Sequence, residues 1–441
     1  MSSFSLSQVL GSKEQANWDS EVPLADRLES LDQKLRIFEG KRELEREATA
    51  AKLSESPIVS ANGKDGFEFK SADSTFRLRV GGLIQADSRF YTDNDSARPS
   101  GSSTFLLRKV RPVLEGTVYK YFDFRLMPDF GNGQALVQDA YLDFAYLPAA
   151  KIRFGKMKPP VGLERLQVDA ENLFIERALP TDLVPNRDVG VQVFGENLRG
   201  VLNYAVGVFN GVPDGGNGDL DTNNTKDFAG RVFVYPFRTS HAEPLRGLGI
   251  GLAGTAGSQQ GLLSTLRTAA QSAFFSYSNG TSAAGSNHRI SPQAYYYWGP
   301  FGMLAEYVQS VQDVKKGSIV GQINNQAWQV NASYVLTGEK ASFRGVTPRK
   351  QFSPGAGGFG AIELTTRFTQ LNVDNDAFTL KFAHPTNSAR QATTWTAGVN
   401  WYFSRNLKFE VNYDQTHFKG GGPLGDRNTE KVVLSRFQIY F

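Results

Sequence analysis

Residues 76–90 read FRLRVGGLIQADSRF. Phe76, Leu78 and Val80 alternate with Arg77 and Arg79, and Ile84, Ala86 and Phe90 alternate with Gln85, Asp87 and Arg89. Successive side chains of a strand point to opposite faces, so this period of two makes a strand with one apolar face and one charged face. In an open sheet the charged face would meet bulk solvent; in a closed barrel it would line a water-filled lumen. The stretch alone permits both.

Working outward, strand-like segments recur near 75–90, 103–118, 120–129, 136–147, 150–158, 187–197, 200–210, 226–237, 246–256, 289–298, 301–311, 325–337, 358–371, 391–403, 406–417 and 430–441. That makes about sixteen, an even number suited to antiparallel closure. Short connections fall near Tyr119, Pro148-Ala149, Asn197-Leu198, Gly299-Pro300 and Ser404-Arg405. Long ones fall at 91–102, 159–186, 211–225, 257–288, 312–324, 372–390 and 418–429. Short turns at one end and long loops at the other are the habit of outer-membrane barrels. Thr337–Gly357 is the exception, long on the short-turn side. Aromatic residues gather at strand ends, as in Tyr295, Tyr296, Tyr297, Trp298 and Phe301, where interfacial girdles would use them. The final KVVLSRFQIYF puts Val433, Phe437, Ile439 and Phe441 on one face and ends on an aromatic, which resembles the terminal assembly signal of bacterial outer-membrane proteins. The expected fold is all-β: a 16-stranded antiparallel transmembrane β-barrel, with an α-helical, coiled-coil-like segment before it.

Composition agrees and excludes alternatives. Mean hydropathy is −0.34 and no run of about 18 apolar residues exists to form a membrane helix, as expected when only every second residue faces lipid. Cysteine is absent, and the four histidines, His241, His288, His384 and His417, lack metal-ligand spacing. No nucleophile–base pair appears in an ordered context, so neither an enzyme, a metal nor another cofactor is expected. A net charge of +4 gives no support to nucleic-acid binding.

Met1–Trp18 lacks the basic and apolar runs of a signal peptide, and residues 1–19 are expected to be mobile. Residues 20–56 read as a helix, with Pro23 in the first turn and Leu24, Leu28, Leu31, Leu35 and Phe38 at the 4-3-4-3 spacing of a coiled-coil seam. Gly40 interrupts the seam; Leu44, Ala48 and Ala51 continue on a shifted stripe. A lone surface helix is the competing reading, and self-association as a trimer is the expectation if the rest is a porin. Residues 57–74 read as a linker, and 75–441 as the barrel.

Two motifs carry no chemistry. Gly249, Gly251 and Gly254 spell G-x-G-x-x-G without the helix a dinucleotide site needs. Asp219, Asp221 and Asp227 lack calcium-loop spacing.

A barrel of this size needs narrowing in order to discriminate. The 159–186 loop is the candidate, because it is poor in Gly and Ser and carries apolar anchors, Leu163, Leu166, Leu173, Phe174, Ile175 and Leu179. It also holds Glu164, Arg165, Asp169, Glu171, Glu176 and Arg177. Alternation turns Arg77, Arg79, Arg89, Lys109, Arg111, Arg125, Arg153 and Arg367 inward, together with Asp87, Glu115, Asp123 and Asp143. Mixed charges can simply solvate a general pore; inward arginines also make anion paths. Lys340, Arg344, Arg349 and Lys350 would then draw anions toward the periplasmic exit.

The collinear order FRLRVGGLIQAD, LLRKV, GKMKPPVGLERL, FIERAL, YVLTGE and GVNWYF resembles the phosphate-selective porin O and P family from about Phe76 to Phe441. The resemblance implies a trimeric porin of the bacterial outer membrane, facing lipid outside, with an arginine ladder and an anion-binding constriction within. Arg108 and Lys109 match a basic pair of that constriction, and Arg165 matches the lysine of the family's infolded loop. On a regular strand Arg108 and Lys109 face opposite sides, so only a bulge would put both in the pore. Leu83 replaces a lumen arginine, Val168 and Asp169 replace two serines, and Ser264–Arg289 carries only Arg267 and Arg289 where the family has several arginines. These changes predict weaker phosphate coordination. The expected function is passive diffusion of small anionic solutes, with phosphate or polyphosphate as the solute the family suggests. The alternatives are a general, weakly selective porin, or a structural or adhesive barrel whose N-terminal helix, in the periplasm, contacts partners there.

Overall fold

The computed structural model describes residues 23–55, 57–62, 66–92, 101–221 and 223–441. The expectation for residues 1–19 lies outside them. The chain divides into two units, one ending at Pro57 and one spanning Ile58–Phe441. In the first, a helix, α1, runs from Leu24 to Glu55. Its Leu, Ala, Glu, Lys and Arg content favours helix strongly enough to carry it through Gly40 unbroken. Leu28, Leu31, Leu35 and Phe38 are all exposed along it.

The second unit is a closed barrel of sixteen antiparallel strands. In chain order they are β1 (Arg77–Tyr91), β2 (Thr104–Val118), β3 (Phe122–Asp129), β4 (Leu136–Leu147), β5 (Ala150–Met157), β6 (Asp188–Asn197), β7 (Leu202–Phe209) and β8 (Asp227–Val234). There follow β9 (Leu248–Gly261), β10 (Thr281–Trp298), β11 (Phe301–Lys316), β12 (Ile319–Val335), β13 (Ala361–Asn372), β14 (Ala389–Tyr402), β15 (Leu407–Gly422) and β16 (Glu430–Tyr440). Each strand pairs with the next, and β16 closes on β1 from Val432↔Tyr91 to Tyr440↔Leu83. Closure leaves no wall edge in lipid with unpaired amides. At the seam Phe441 exchanges backbone hydrogen bonds with Gly82 at 2.9 and 3.1 Å. A Cβ on Gly81 would stand 2.5 Å from the Phe441 carbonyl oxygen, so this close approach requires glycine.

The barrel is apolar outside. Leu142, Phe154, Phe228 and Leu252 are each more than half exposed. Inside, an apolar cluster joins Val161, Leu179, Leu183 and Val184 of the long 158–187 connection to Val308, Ile323, Ala327 and Leu371 on β11–β13. That connection therefore lies within the barrel, packed on one side of its wall.

Three boundaries differ from the sequence reading. The expected loop 312–324 is a two-residue turn, with Lys316 paired to Ile319 and Gly317 at φ 59°. The strand ends around it mix polar and apolar residues on both faces, so alternation loses its contrast there. The expected loop 257–288 is shorter, because β9 reaches Gly261 and β10 starts at Thr281; between them sits a small hairpin, Leu266–Arg267 with Ala273–Phe275. The stretch expected as a linker contains a hairpin, Ile58–Asn62 with Gly66–Lys70, whose second arm pairs with the start of the barrel at Phe67↔Val80. Its short arms alternate too few residues to signal a strand. G-x-G-x-x-G at 249–254 lies within β9. Asp227 is buried at the start of β8, away from solvent-facing Asp219.

Candidate functional site

Two irregularities in the ladder shape the lumen wall. Gln85 pairs with Lys109 but Ala86 pairs with Leu107, which leaves Arg108 as the extra residue of a β-bulge. Likewise Met127 pairs with Asp139 and Pro128 with Val137, leaving Gln138 extra. A bulge resets which side chains point inward, so neighbours on one strand can share a face. Arg108 and Lys109 both reach the 158–187 connection as a result. Pro128 suits its position because a bulge leaves a backbone donor unused.

Two carboxylates of the infolded connection receive most of these cations. Asp169 accepts from Lys109 Nζ at 2.5 Å, Arg111 Nη1 at 2.6 Å and Arg177 Nη1 at 2.6 Å. Glu176 accepts from Arg108 Nε at 2.5 Å and Arg89 Nη2 at 3.1 Å, with Arg436 Nη2 at 3.7 Å. Burial alone would raise the Asp169 carboxyl, but the Arg177, Lys109 and Arg111 charges around it hold it well below the usual carboxylate range.

Wall side chains fix the backbone of the connection directly. Glu306 accepts from Leu163 N at 2.5 Å, Asn412 Oδ1 from Ile175 N at 2.8 Å, and Lys408 Nζ donates to Asn172 O at 2.9 Å. Arg367 Nη1 donates to Glu176 O at 2.9 Å while its guanidinium lies over the Phe174 ring at 4.3 Å. With so many anchors the connection is a built partition, and its anchors lie mostly on β11–β16. Open volume remains on the side of the other wall.

Two cavities occupy that side. One, of about 420 Å³, opens among the long loops and is lined by Arg108, Lys109, Arg165, Arg177 and Arg267 among others. The second, of about 600 Å³, opens toward the short turns and includes Arg125, Lys151, Arg153, Lys158 and Arg231. Arg111, Asp169 and Arg187 line both, so these three residues stand between the two cavities. Seven cations face three carboxylates in the second cavity, so its lining carries a net positive charge.

Arg165 Nη2 donates to Thr181 O at 2.5 Å and Nη1 to Asn186 Oδ1 at 3.3 Å; among the described residues no carboxylate lies within 4 Å of it. Its charge is thus uncompensated at the cavity. Arg125 sits between Glu115 at 2.5 Å and Asp139 at 3.4 Å. Arg79 pairs with Glu115 at 2.8 Å and Arg77 with Glu68 at 3.8 Å, lining a third, smaller cavity in which four carboxylates outnumber three cations. The ladder loses its positive excess there. Lys340, Arg344, Arg349 and Lys350 are exposed on the 336–360 connection and line none of these cavities. Arg289, expected at the start of a strand, is buried in β10, with Asp214 at 2.6 Å.

Sequence reasoning missed Arg187, Lys158, Lys151 and Arg231. Lys151 shares the parity of Arg153 on β5 and was legible by extension. Arg231 stands between inward Ala229 and Phe233, so the polar-inside rule pointed the wrong way. Arg187 and Lys158 flank strands, where alternation says nothing.

Residues 78–441 match the model of the family described as phosphate-selective porin O and P. Porin O of Pseudomonas aeruginosa is 23% identical over 385 residues, covering 79% of this chain and 85% of that protein. Among solved structures, the outer-membrane channel DcaP of Acinetobacter baumannii aligns with a TM-score of 0.56 at 11% identity, covering 85% of this chain and 99% of that one. The anion-selective porin of Comamonas acidovorans aligns with a TM-score of 0.54 at 14% identity, covering 83% and 100%. The chain is an outer-membrane β-barrel and belongs to the phosphate-selective porin O and P family.

Proposed function

We propose that this porin, as a homotrimer, lets small anions diffuse across the outer membrane along the β1–β8 wall, past a constriction formed by Arg111, Arg187 and the infolded connection. The single observation that supports the reading is the arrangement of the two cavities: they share Arg111 and Arg187, with Arg165 lining the upper one and an excess of cations in the lower one. A cation in that passage would meet like charges within a Debye length, whereas an anion exchanges one guanidinium for the next. Nothing in this geometry demands a reaction, and the path needs only diffusion. Phosphate, named in the family's description, is one such solute. Here Lys109, Arg111 and Arg177 already share Asp169, which lowers their capacity for a divalent oxyanion.

The test is the reversal potential of single trimers in a potassium chloride gradient. Native channels are expected to show chloride preferred over potassium. Arg165→Ala should lower that preference about two- to threefold, a loss of roughly 0.5 kcal/mol from one partly screened charge. An unchanged ratio removes Arg165 from the path, and a native preference for potassium sinks the anion reading.

A further inference from the structure

The chamber toward the short turns is not equipped as the one above it. Lys151, Phe194, Ala205 and Arg231 face one another in a single row across four adjacent strands, by the pairs Lys151↔Phe194, Phe194↔Ala205 and Ala205↔Arg231. All four line the same cavity of about 600 Å³. Three strand spacings put the two cations about 14 Å apart, with a phenyl ring and a small residue between them. Arg231 Nε is held by Gln293 Oε1 at 3.0 Å, and among the described residues neither Arg231 nor Lys151 has a carboxylate within 4 Å. Across the chamber stand Leu83, Val113, Met127 and, from the infolded connection, Val168, which is 39% exposed. In the upper cavity, by contrast, the lining is mostly charged, amide-bearing or hydroxyl-bearing, with Leu136 and Ala178 as its apolar side chains.

We propose that this lower chamber is a binding site for small organic anions with a compact apolar body, aromatic monocarboxylates above all, and that it sets the solute class of the pore. The inference rests on the anion-channel reading and specifies it. A hydrated inorganic anion gains only charge attraction from the cations of this chamber, and nothing from Leu83, Val113 and Phe194, which cannot replace its water. An aromatic carboxylate places its charge on the same cation and its ring on those apolar side chains, removing apolar surface from water on both partners. The substitution of Leu83 for a polar donor thereby acquires a role: it supplies part of the surface against which the ring lies.

The experiment records chloride current through single channels of the full chain in a planar bilayer while benzoate, acetate or phosphate is added from the turn side. Benzoate is expected to halve the current at a concentration about tenfold below acetate, the scale set by burying part of one ring. Phosphate should block less well than benzoate. Phe194→Ala should bring the benzoate-to-acetate ratio toward one with acetate block unchanged, whereas Arg231→Gln should weaken both acids alike. Val168→Ser, on the opposite side of the chamber, reads the same ratio if Phe194→Ala does not assemble. Anion-selective steps with equal block by benzoate and acetate overturn this proposal alone. Absence of conductance steps, or preference for cations, overturns the anion-channel reading and this one with it.

Discussion

Asp169 is the residue on which the constriction turns. It stands 2.5–2.6 Å from Lys109, Arg111 and Arg177, the place a permeating oxyanion would take. A tethered carboxylate there acts as a permanent internal counterion. It keeps two buried cations and a partly buried third together and leaves them less free charge for a solute. Asp169→Asn keeps the shape and removes the charge. Breaking a buried ion network costs about 3–5 kcal/mol when cations are left uncompensated, and a mobile anion can restore part of that. The expected outcome is a chloride-to-potassium ratio raised severalfold, together with phosphate block at lower concentration than in the native channel. Reversal potential and current block report both, and an unchanged ratio would mean that ions bypass the cluster. Residue identities here were legible only in part. The loop's Asp169, Glu176 and Arg177 stood out in the sequence as charges in an otherwise apolar insert. Their grouping around particular wall cations was not visible, because it depends on how the insert folds back.

At the scale of elements, the infolded connection and the wall have separate sources of stability. The wall is held by its own ladder, closed from β16 to β1, and needs no side chain of the connection to satisfy a strand amide. The connection is held by the wall, through Glu306, Asn412, Lys408, Arg367 and the apolar cluster at Val308 and Ile323. Replacing residues 163–183 by a short Gly/Ser bridge should therefore leave strand content by circular dichroism unaltered. Single-channel conductance should rise a few-fold with selectivity reduced, as water hydrates the wall charges the connection now covers. A collapse of strand content would show that the partition supports the barrel after all. The number of strands, their spacing and the inward position of the connection were readable, since each rests on alternation or on apolar residues out of place. The bulges at Arg108 and Gln138 were not readable. A bulge adds one residue to one strand, and nothing in composition marks it; yet it decides whether Arg108 faces lipid or lumen.

At the scale of the whole molecule, the proposed trimer gives the helix a testable role. A closed wall presents lipid-facing residues in every direction and gives trimer formation no aqueous handle. In α1, Leu28, Leu31, Leu35 and Phe38 are 60, 63, 56 and 66% exposed and follow a heptad seam. Four such side chains on one face are the pattern that drives parallel helices together in water, and Arg36 with Asp32 at 2.9 Å shows the flanking face already paired within its own helix. Burying the seam among three copies would contribute on the scale of about 25 cal/mol per Å² of apolar surface removed. Three short seams of this kind are marginal alone and in the proposed trimer would add to contacts between barrels. Leu28→Asn combined with Leu35→Asn is expected to lower the temperature at which the detergent-solubilised oligomer dissociates by several degrees, read on semi-native gels. Conductance per pore should not change, since the proposed path is built from the barrel's own residues. Identical dissociation temperatures would assign the oligomer to the barrel walls alone and leave the exposed leucines to a different partner.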